Sequence, residues 1–372
     1  MPLIVYVPPK LRHLCPQYQP GGTVSHLASF EDFAPTVLNL AGIKVPDAMQ
    51  GRAFLGKQAE VVKNYQFGFR TNQGPHYDPI RTVRDERFKY IRNYIPHKPL
   101  MLRQGYQWGM VANQAYDLGY KQGHLEQRFR KFFEAKPTEE LYDLEADPFE
   151  MNNLASQPDY REKLVELRNQ VGQRMRQTKD LGFFPPYGRD ANLQPLYDWV
   201  RASKFPLPEL FALAEMASSG DVKHIPELEK HLASEHSAMR YWAASGLANI
   251  ASRGNGIEAS PALRQLINDP DPDVAGMAAG ALCYMGDAKT GLKKLVTMMA
   301  QDGWQEAASN LHAYIMLHHK TNEIQPHLPA LRTLAKKKKV SVWSPVFYAR
   351  SILVDVGVNS PTELFDHEAW QK

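Results

Sequence analysis

Apolar positions along this chain follow two rhythms. Between residues 63 and 155 they come in short runs suited to strands: Tyr65-Gln66-Phe67-Gly68-Phe69, Ile80-Arg81-Thr82-Val83, Phe88-Lys89-Tyr90-Ile91 and Leu141-Tyr142-Asp143-Leu144. The charged stretch Arg84-Asp85-Glu86-Arg87 reads as a hairpin turn between the second and third runs. These runs predict a small antiparallel sheet interrupted by an insertion, residues 99–136, with helical patterning near Leu125 to Phe133. Elsewhere the spacing is helical. Leu164, Leu167, Val171 and Met175 predict an amphipathic helix over Arg161 to Lys179 that packs on the sheet. Ala34, Val37, Leu38 and Ala41 predict another, with Gly42 as its C-cap. Pro2 to Pro8 is an apolar run bounded by prolines, as in a buried strand of a parallel sheet. With no neighbouring strands to pair with, Leu3 to Val7 is expected to be an exposed apolar edge.

From residue 207 onward the pattern repeats. Ile225-Pro226-Glu227-Leu228 aligns with Ser260-Pro261-Ala262-Leu263, and Trp242-Ala243-Ala244 with Met277-Ala278-Ala279, both at an offset of 35. A third copy spans Leu292 to Leu311, and a weaker fourth runs from Pro329 to Leu353. Two helices per copy, with Ala, Gly and Ser where they cross, are the physics of a HEAT-like solenoid, in which stacking buries faces that single pairs cannot. Such an array, from about 188 to 372, is expected to fold without help from the residues before it. Phe183-Phe184-Pro185-Pro186-Tyr187 reads as the segment leading into it.

Composition narrows the class. A hydrophobic content of 43% and a charged content of 23% are ordinary for a globular protein. The net charge of +4 over 372 residues gives no reason to expect a nucleic-acid partner. Two cysteines make no disulfide framework. Met1 to Val7 is too short and too Pro-bounded to read as a signal peptide, and no apolar stretch approaches the length of a membrane span.

Three blocks carry a further signal. Glu140-Leu141-Tyr142-Asp143-Leu144-Glu145-Ala146-Asp147-Pro148-Phe149-Glu150-Met151-Asn152-Asn153-Leu154-Ala155 resembles the closing signature of the sulfatase family. Val24 to Gly42, followed by Gly51-Arg52-Ala53-Phe54-Leu55, is similar to a strand–helix passage late in that family's catalytic domain. Tyr77 to Pro99 resembles a third stretch, found in bacterial sulfatases related to heparan N-sulfatases and arylsulfatases. The resemblance covers residues 2–187 in the right order. It implies an α/β plus all-α chain: a truncated alkaline-phosphatase-like sulfatase domain with a small antiparallel C-terminal sheet, then a HEAT-like α-solenoid. The expected divisions are 1–62, the remnant of the catalytic domain; 63–187, the C-terminal subdomain; and 188–372, the repeats.

The implied activity is that of a sulfuric ester hydrolase acting on a sulfated carbohydrate or aryl sulfate. In the family the nucleophile is a formylglycine made from Cys or Ser in C/S-x-P/A-x-R, and calcium neutralises the sulfate. Cys15 is followed by Pro16-Gln17-Tyr18-Gln19, which does not fit that motif, and Cys283 lies in an apolar helix. Formylglycine and calcium are therefore expected to belong to a longer parent enzyme, periplasmic or secreted, and this chain alone is expected to be inactive and to bind no metal. The resemblance implies that Arg70, His76, Asp78 and Arg81 lie near the sulfate pocket and touch substrate; ordinary pairing, Asp78 with Arg81 for instance, is the alternative. His97 reads as a turn histidine and His318-His319 as helix residues without a third ligand. Lys336 to Lys339 reads as a solvated loop or a site for a phosphate or sulfated glycan. The aromatics from Tyr94 to Tyr120 suit either sugar stacking or a small core of the insertion's own. Against the enzymatic reading stands a non-catalytic one, a helical-repeat scaffold for a protein partner that carries a relict sulfatase subdomain.

Overall fold

The computed structural model describes residues 3–15, 18–24, 26–57, 59, 63–187, 195–318, 321–337, 341 and 344–371. The side chains of His318 and His319, the run's Lys338 and Lys339, and the division expected at 188 lie outside the described residues. Four strands, β1 (Gln66–Gln73), β2 (His76–Arg84), β3 (Phe88–Asn93) and β4 (Glu139–Asp143), form one antiparallel sheet in sequence order. Each expected strand run of residues 63–155 falls on one of them. The chain forms two compact units, one of Met1–Gly68, Thr82–Ile91 and Glu140–Val171, the other of Phe69–Arg81, Arg92–Glu139 and Gly172–Lys372.

In the first unit, Asp85 builds the hairpin turn before β3. Its backbone N–H donates to the Phe88 carbonyl at 3.0 Å, and its Oδ1 accepts from the N–H groups of Arg87 and Phe88 at 2.9 and 2.6 Å. Helix α1 (Phe33–Leu40) forms as its spacing predicts, and Gly42 beyond it takes the left-handed conformation, φ 72°. Its buried face is not the predicted one. Val37 is 63% exposed, whereas Thr36 and Asn39 are buried. The reason is a polar clasp. Thr36 Oγ1 accepts from the Phe54 N–H at 3.1 Å, and Asn39 Nδ2 donates to the Leu55 carbonyl at 2.8 Å. Asp32 Oδ1 accepts from the Arg52 N–H at 2.8 Å. Leu3 to Val7 is not a strand. The described residues offer no strand beside it, so its backbone has no ladder to join, and Ile4 is 91% exposed.

The second unit holds the repeats. After α2 (Val111–Lys121) of the insertion and α3 (Arg161–Thr178), which starts in the first unit, come α4 (Leu207–Ser219), α5 (Ile225–His231), α6 (Ser237–Ser252), α7 (Pro261–Leu266), α8 (Pro272–Tyr284), α9 (Ala288–Met298), α10 (Trp304–His318), α11 (Leu328–Ala335) and α12 (Pro345–Asp355). The local chemistry sets these starts. Ser260 Oγ accepts from the Leu263 N–H ahead of Pro261, and Asp271 Oδ1 from the Asp273 N–H ahead of Pro272. The second helices of successive copies, α6, α8, α10 and α12, pack side by side. Small residues let them close. A Cβ on Gly246 would lie 2.9 Å from Ala217 Cα, and one on Gly280 would lie 2.8 Å from Asn310 Cγ.

The array does not stand apart from the residues before it. Trp108 of the insertion, fully buried, belongs to one core with Leu292, Leu311 and Ile352. Leu102 and Phe133 pack with Ala313 and Met316 of α10. Trp108 is thus core shared with the helices, Tyr116 and Tyr120 pack on Phe133 within the insertion, and Tyr106 is exposed. Charge ties the same elements together. Buried Arg103 donates Nη2 to Asp117 Oδ1 at 2.9 Å and to Asp355 Oδ1 at 2.6 Å.

Candidate functional site

The family signature is a structural clasp within the first unit. Asp143 Oδ2 accepts from Arg87 Nη2 at 2.5 Å, while its Oδ1 accepts from the Glu145 N–H at 3.1 Å. Hydrogen bonding from Arg87 holds the Asp143 carboxyl below the usual aspartate range. Asp147 Oδ2 accepts from the Met151 and Asn152 N–H groups, both at 2.7 Å. Asn153 Oδ1 accepts from the N–H of Leu141 and of Ala155, each at 3.0 Å. Lys89 Nζ reaches Glu150 Oε2 at 2.7 Å, and Glu150 itself sits at φ 54°. The motif's polar side chains are thus occupied in turning the chain after β4. Asn153→Ala is expected to destabilise by about 1–3 kcal/mol, because it leaves the part-buried Leu141 N–H without its acceptor. A urea titration read by circular dichroism checks this.

The four expected substrate residues lie on β1 and β2 in the second unit. Side chains alternate along a strand, so Asp78 and Arg81, three positions apart, point to opposite faces. That is why they do not pair with each other. Asp78 is buried and pairs with Arg70 on β1 and with Lys136, whose Nζ lies 3.1 Å from Asp78 Oδ2. Burial lowers the Lys136 pKa and Asp78 opposes the shift. Arg81, on the other face, donates Nε and Nη2 to the two carboxylate oxygens of Asp180, at 2.6 and 2.9 Å. It also donates Nη1 to the Arg70 carbonyl at 2.9 Å, and its guanidinium lies 4.9 Å from the Phe183 ring centre. His76 is 2% exposed, with Nε2 3.3 Å from the Arg103 carbonyl and its ring edge-on to Tyr348. Burial pushes its pKa down to about 3, so it is neutral at any physiological pH. Arg70 differs from the other three, with 27% of its side chain exposed. Lys136 and Asp180 complete this cluster from 58 and 99 residues away, and no local pattern in the chain marks them.

The first unit carries a cleft of about 460 Å³ lined by Lys63, Tyr65, Arg87, Phe88, Lys163 and Glu166, among others. Its charges are matched. Lys163 pairs with Asp85 at 3.2 Å and Glu166 at 2.7 Å, and the Tyr65 hydroxyl donates to Glu166 at 2.9 Å.

Neither group that the family implies fits the described residues. No three His, Cys, Asp or Glu among them converge on a point where a metal could sit. Cys15 and Cys283 are both buried, and burial raises the Cys283 thiol far from its reactive form.

An ulvan-active sulfatase of Formosa agariphila is 40% identical over 168 residues, which are 45% of this chain and 27% of that protein. This chain is a sulfatase homologue over part of its length. A second ulvan-active sulfatase of Formosa agariphila is 39% identical over 40% of the chain and 29% of its own length. An N-acetylglucosamine-6-O-sulfatase of Bacteroides thetaiotaomicron is 27% identical over 48% of the chain and 25% of its own. The chain therefore spans little more than a quarter of the length of these sulfatases. A solved 2-O GAG sulfatase, 26% identical over 43% of this chain and 27% of that one, superposes with a TM-score of 0.29, too low to support an argument about arrangement. The family of HEAT repeats matches residues 193–282 and 225–315, the helical array. No helix among the described residues is long and apolar enough to cross a membrane.

Proposed function

We propose that this sulfatase homologue serves the hydrolysis of sulfate esters on a sulfated carbohydrate, and that Arg70 is its contact with an anionic group of the substrate. The observation that carries this is the charge balance around Asp78. One buried carboxylate stands between two cations, Arg70 and Lys136, which leaves one positive charge unmatched among the groups that touch it. Only Arg70 of the two reaches solvent, and a guanidinium suits the planar fork of a sulfate or carboxylate. Homology to sulfatases supports the chemical class. Aryl sulfates belong to the same class of substrate, and a location outside the cytoplasm goes with it.

The test is sulfate release from a sulfated polysaccharide by the protein as its native host makes it, measured against a strain that lacks the gene. Release that depends on the gene supports the proposal, and equal release from both strains overturns it. The second reading, a non-catalytic scaffold for a protein partner, is favoured by the clasp, whose polar residues are occupied within the fold. It predicts no gene-dependent release.

A further inference from the structure

The array carries its charge unevenly. Between Ala288 and Lys339 there are nine Lys and Arg against three Asp and Glu, whereas the whole chain has 44 against 40. Two of those three acids are engaged. Glu306 is buried against Lys98, and Glu323 accepts from the Tyr314 hydroxyl at 2.6 Å. Lys289 and Lys293 on α9, Arg332 on α11, and Lys336 and Lys337 just beyond it are all exposed. None of the five forms an ion pair among the described residues. Elsewhere lysines commonly do, as at Lys63, Lys89, Lys121, Lys136 and Lys163.

The two helices are neighbours. Leu292 and Leu295 of α9 belong to one core with Leu328 and Leu331 of α11, and Gln325–His327, directly before α11, packs against α9, so the exposed residues of both helices lie away from that core. His327, at the start of α11, registers this closeness. Burial lowers its pKa and the charge of Lys293 adds to the effect. Like charges gathered on one face repel each other and cost stability in the free protein. A polyanion relieves that repulsion. The ligand need not be a point anion, because the cations are spread over two helices. Lysine ammonium groups act as point charges without a preferred fork, which suits sulfate groups spaced along a flexible chain.

We propose that the outer face of α9 and α11 binds a sulfated polysaccharide chain through Lys289, Lys293, Arg332, Lys336 and Lys337. The choice of sulfated sugar over other polyanions rests on the function proposed above; the electropositive face does not. The test uses the whole 372-residue chain and three probes at low ionic strength: dextran sulfate, unsulfated dextran and a single-stranded oligodeoxynucleotide. The expected result is binding of dextran sulfate that weakens with added salt, no binding of dextran, and weaker binding of the oligonucleotide. The combined variant Lys289→Glu, Lys293→Glu, Lys336→Glu is expected to lose roughly tenfold or more in affinity for dextran sulfate. The Gln counterpart at the same positions, which adds no repulsion, loses less, and circular dichroism checks that both keep the wild-type helix content. Unchanged affinity in the charge-reversed variant, equal retention of dextran, or tighter binding of the oligonucleotide overturns the proposal. This assay reads binding and not sulfate release, so its failure is distinct from a failure of sulfate release.

Discussion

Glu306→Ala is expected to cost about 3–5 kcal/mol of stability, since breaking one side of a buried ion pair strands the other charge. Lys98 and Glu306 are each 1% exposed, with Nζ 2.6 Å from Oε1. Glu306 Oε1 also accepts from the Tyr241 hydroxyl at 3.2 Å and from Asn310 Nδ2 at 2.8 Å. Without the carboxylate, the Lys98 ammonium keeps, among the described residues, Ser309 Oγ at 3.2 Å and stays buried. The double variant Lys98→Met, Glu306→Leu removes both charges and is expected to recover most of the loss, because apolar pairs of similar volume replace buried ion pairs at little cost. Trp108, Trp199, Trp242, Trp304 and Trp370 all lie in the second unit, so tryptophan fluorescence in a urea titration reads this unit. A loss below about 1 kcal/mol for Glu306→Ala would show the pair to be solvated, as exposed pairs are.

Acid is expected to weaken the same unit well before its carboxylates titrate. Among the described residues, His76, His97 and His312 are buried there. His76 has its pKa pushed down to about 3 by burial, with the charge of His312 adding to it. Burial also lowers His97, helped by Lys98 and Lys136, and lowers His312 although Asp355 opposes it. In the unfolded chain a histidine titrates near 6.5. Above that pH neither state binds the proton, and stability is full. Below it the unfolded state binds protons that the folded state refuses, so stability falls as pH drops from 6.5 toward the folded pKa values, about 3 for His76. His76, whose folded value is about 3, contributes a loss of about 1.4 kcal/mol between pH 7.5 and 5.5, and His97 and His312 add losses of the same sign. Urea titrations at those two pH values test this, and His76→Gln is expected to remove about 1.4 kcal/mol of the difference. A stability that holds level between them would mean that the histidines take up protons in the folded state.

What could be read from the residues was what neighbours in sequence decide. The strands followed from short apolar runs, and Asp85 makes the turn that the charged stretch announced. The repeats were legible because each copy solves the same packing problem, so Ala243 and Ala278, 35 positions apart, are both fully buried. The face that α1 buries was not legible. Its apolar stripe suggested Val37, but the partner is the polar backbone of Arg52 to Leu55, which Asp32, Thr36 and Asn39 can bond and leucines cannot. Leu3 to Val7 read as a strand because a strand depends on neighbours that composition does not supply. The partners of the candidate site were hidden for the same reason. Asp78 meets Lys136, Arg81 meets Asp180, and Lys98 meets Glu306 across 58, 99 and 208 residues. The expectation that the array folds alone did not foresee such contacts, since Lys98, Arg103 and Trp108 all meet its buried residues.

The most direct measurement on the proposed site is KM and kcat for sulfate release by the native protein with Arg70→Ala. The substitution leaves Asp78 paired with Lys136, so no buried carboxylate is stranded and the fold is expected to hold. If Arg70 holds an anionic group of the substrate, KM rises by about tenfold or more, as loss of a charge-assisted hydrogen bond implies, while the unfolding midpoint stays near wild type. An unchanged KM in a folded variant would contradict the assignment and leave Arg70, like His76, Asp78 and Arg81, as a part of the fold alone.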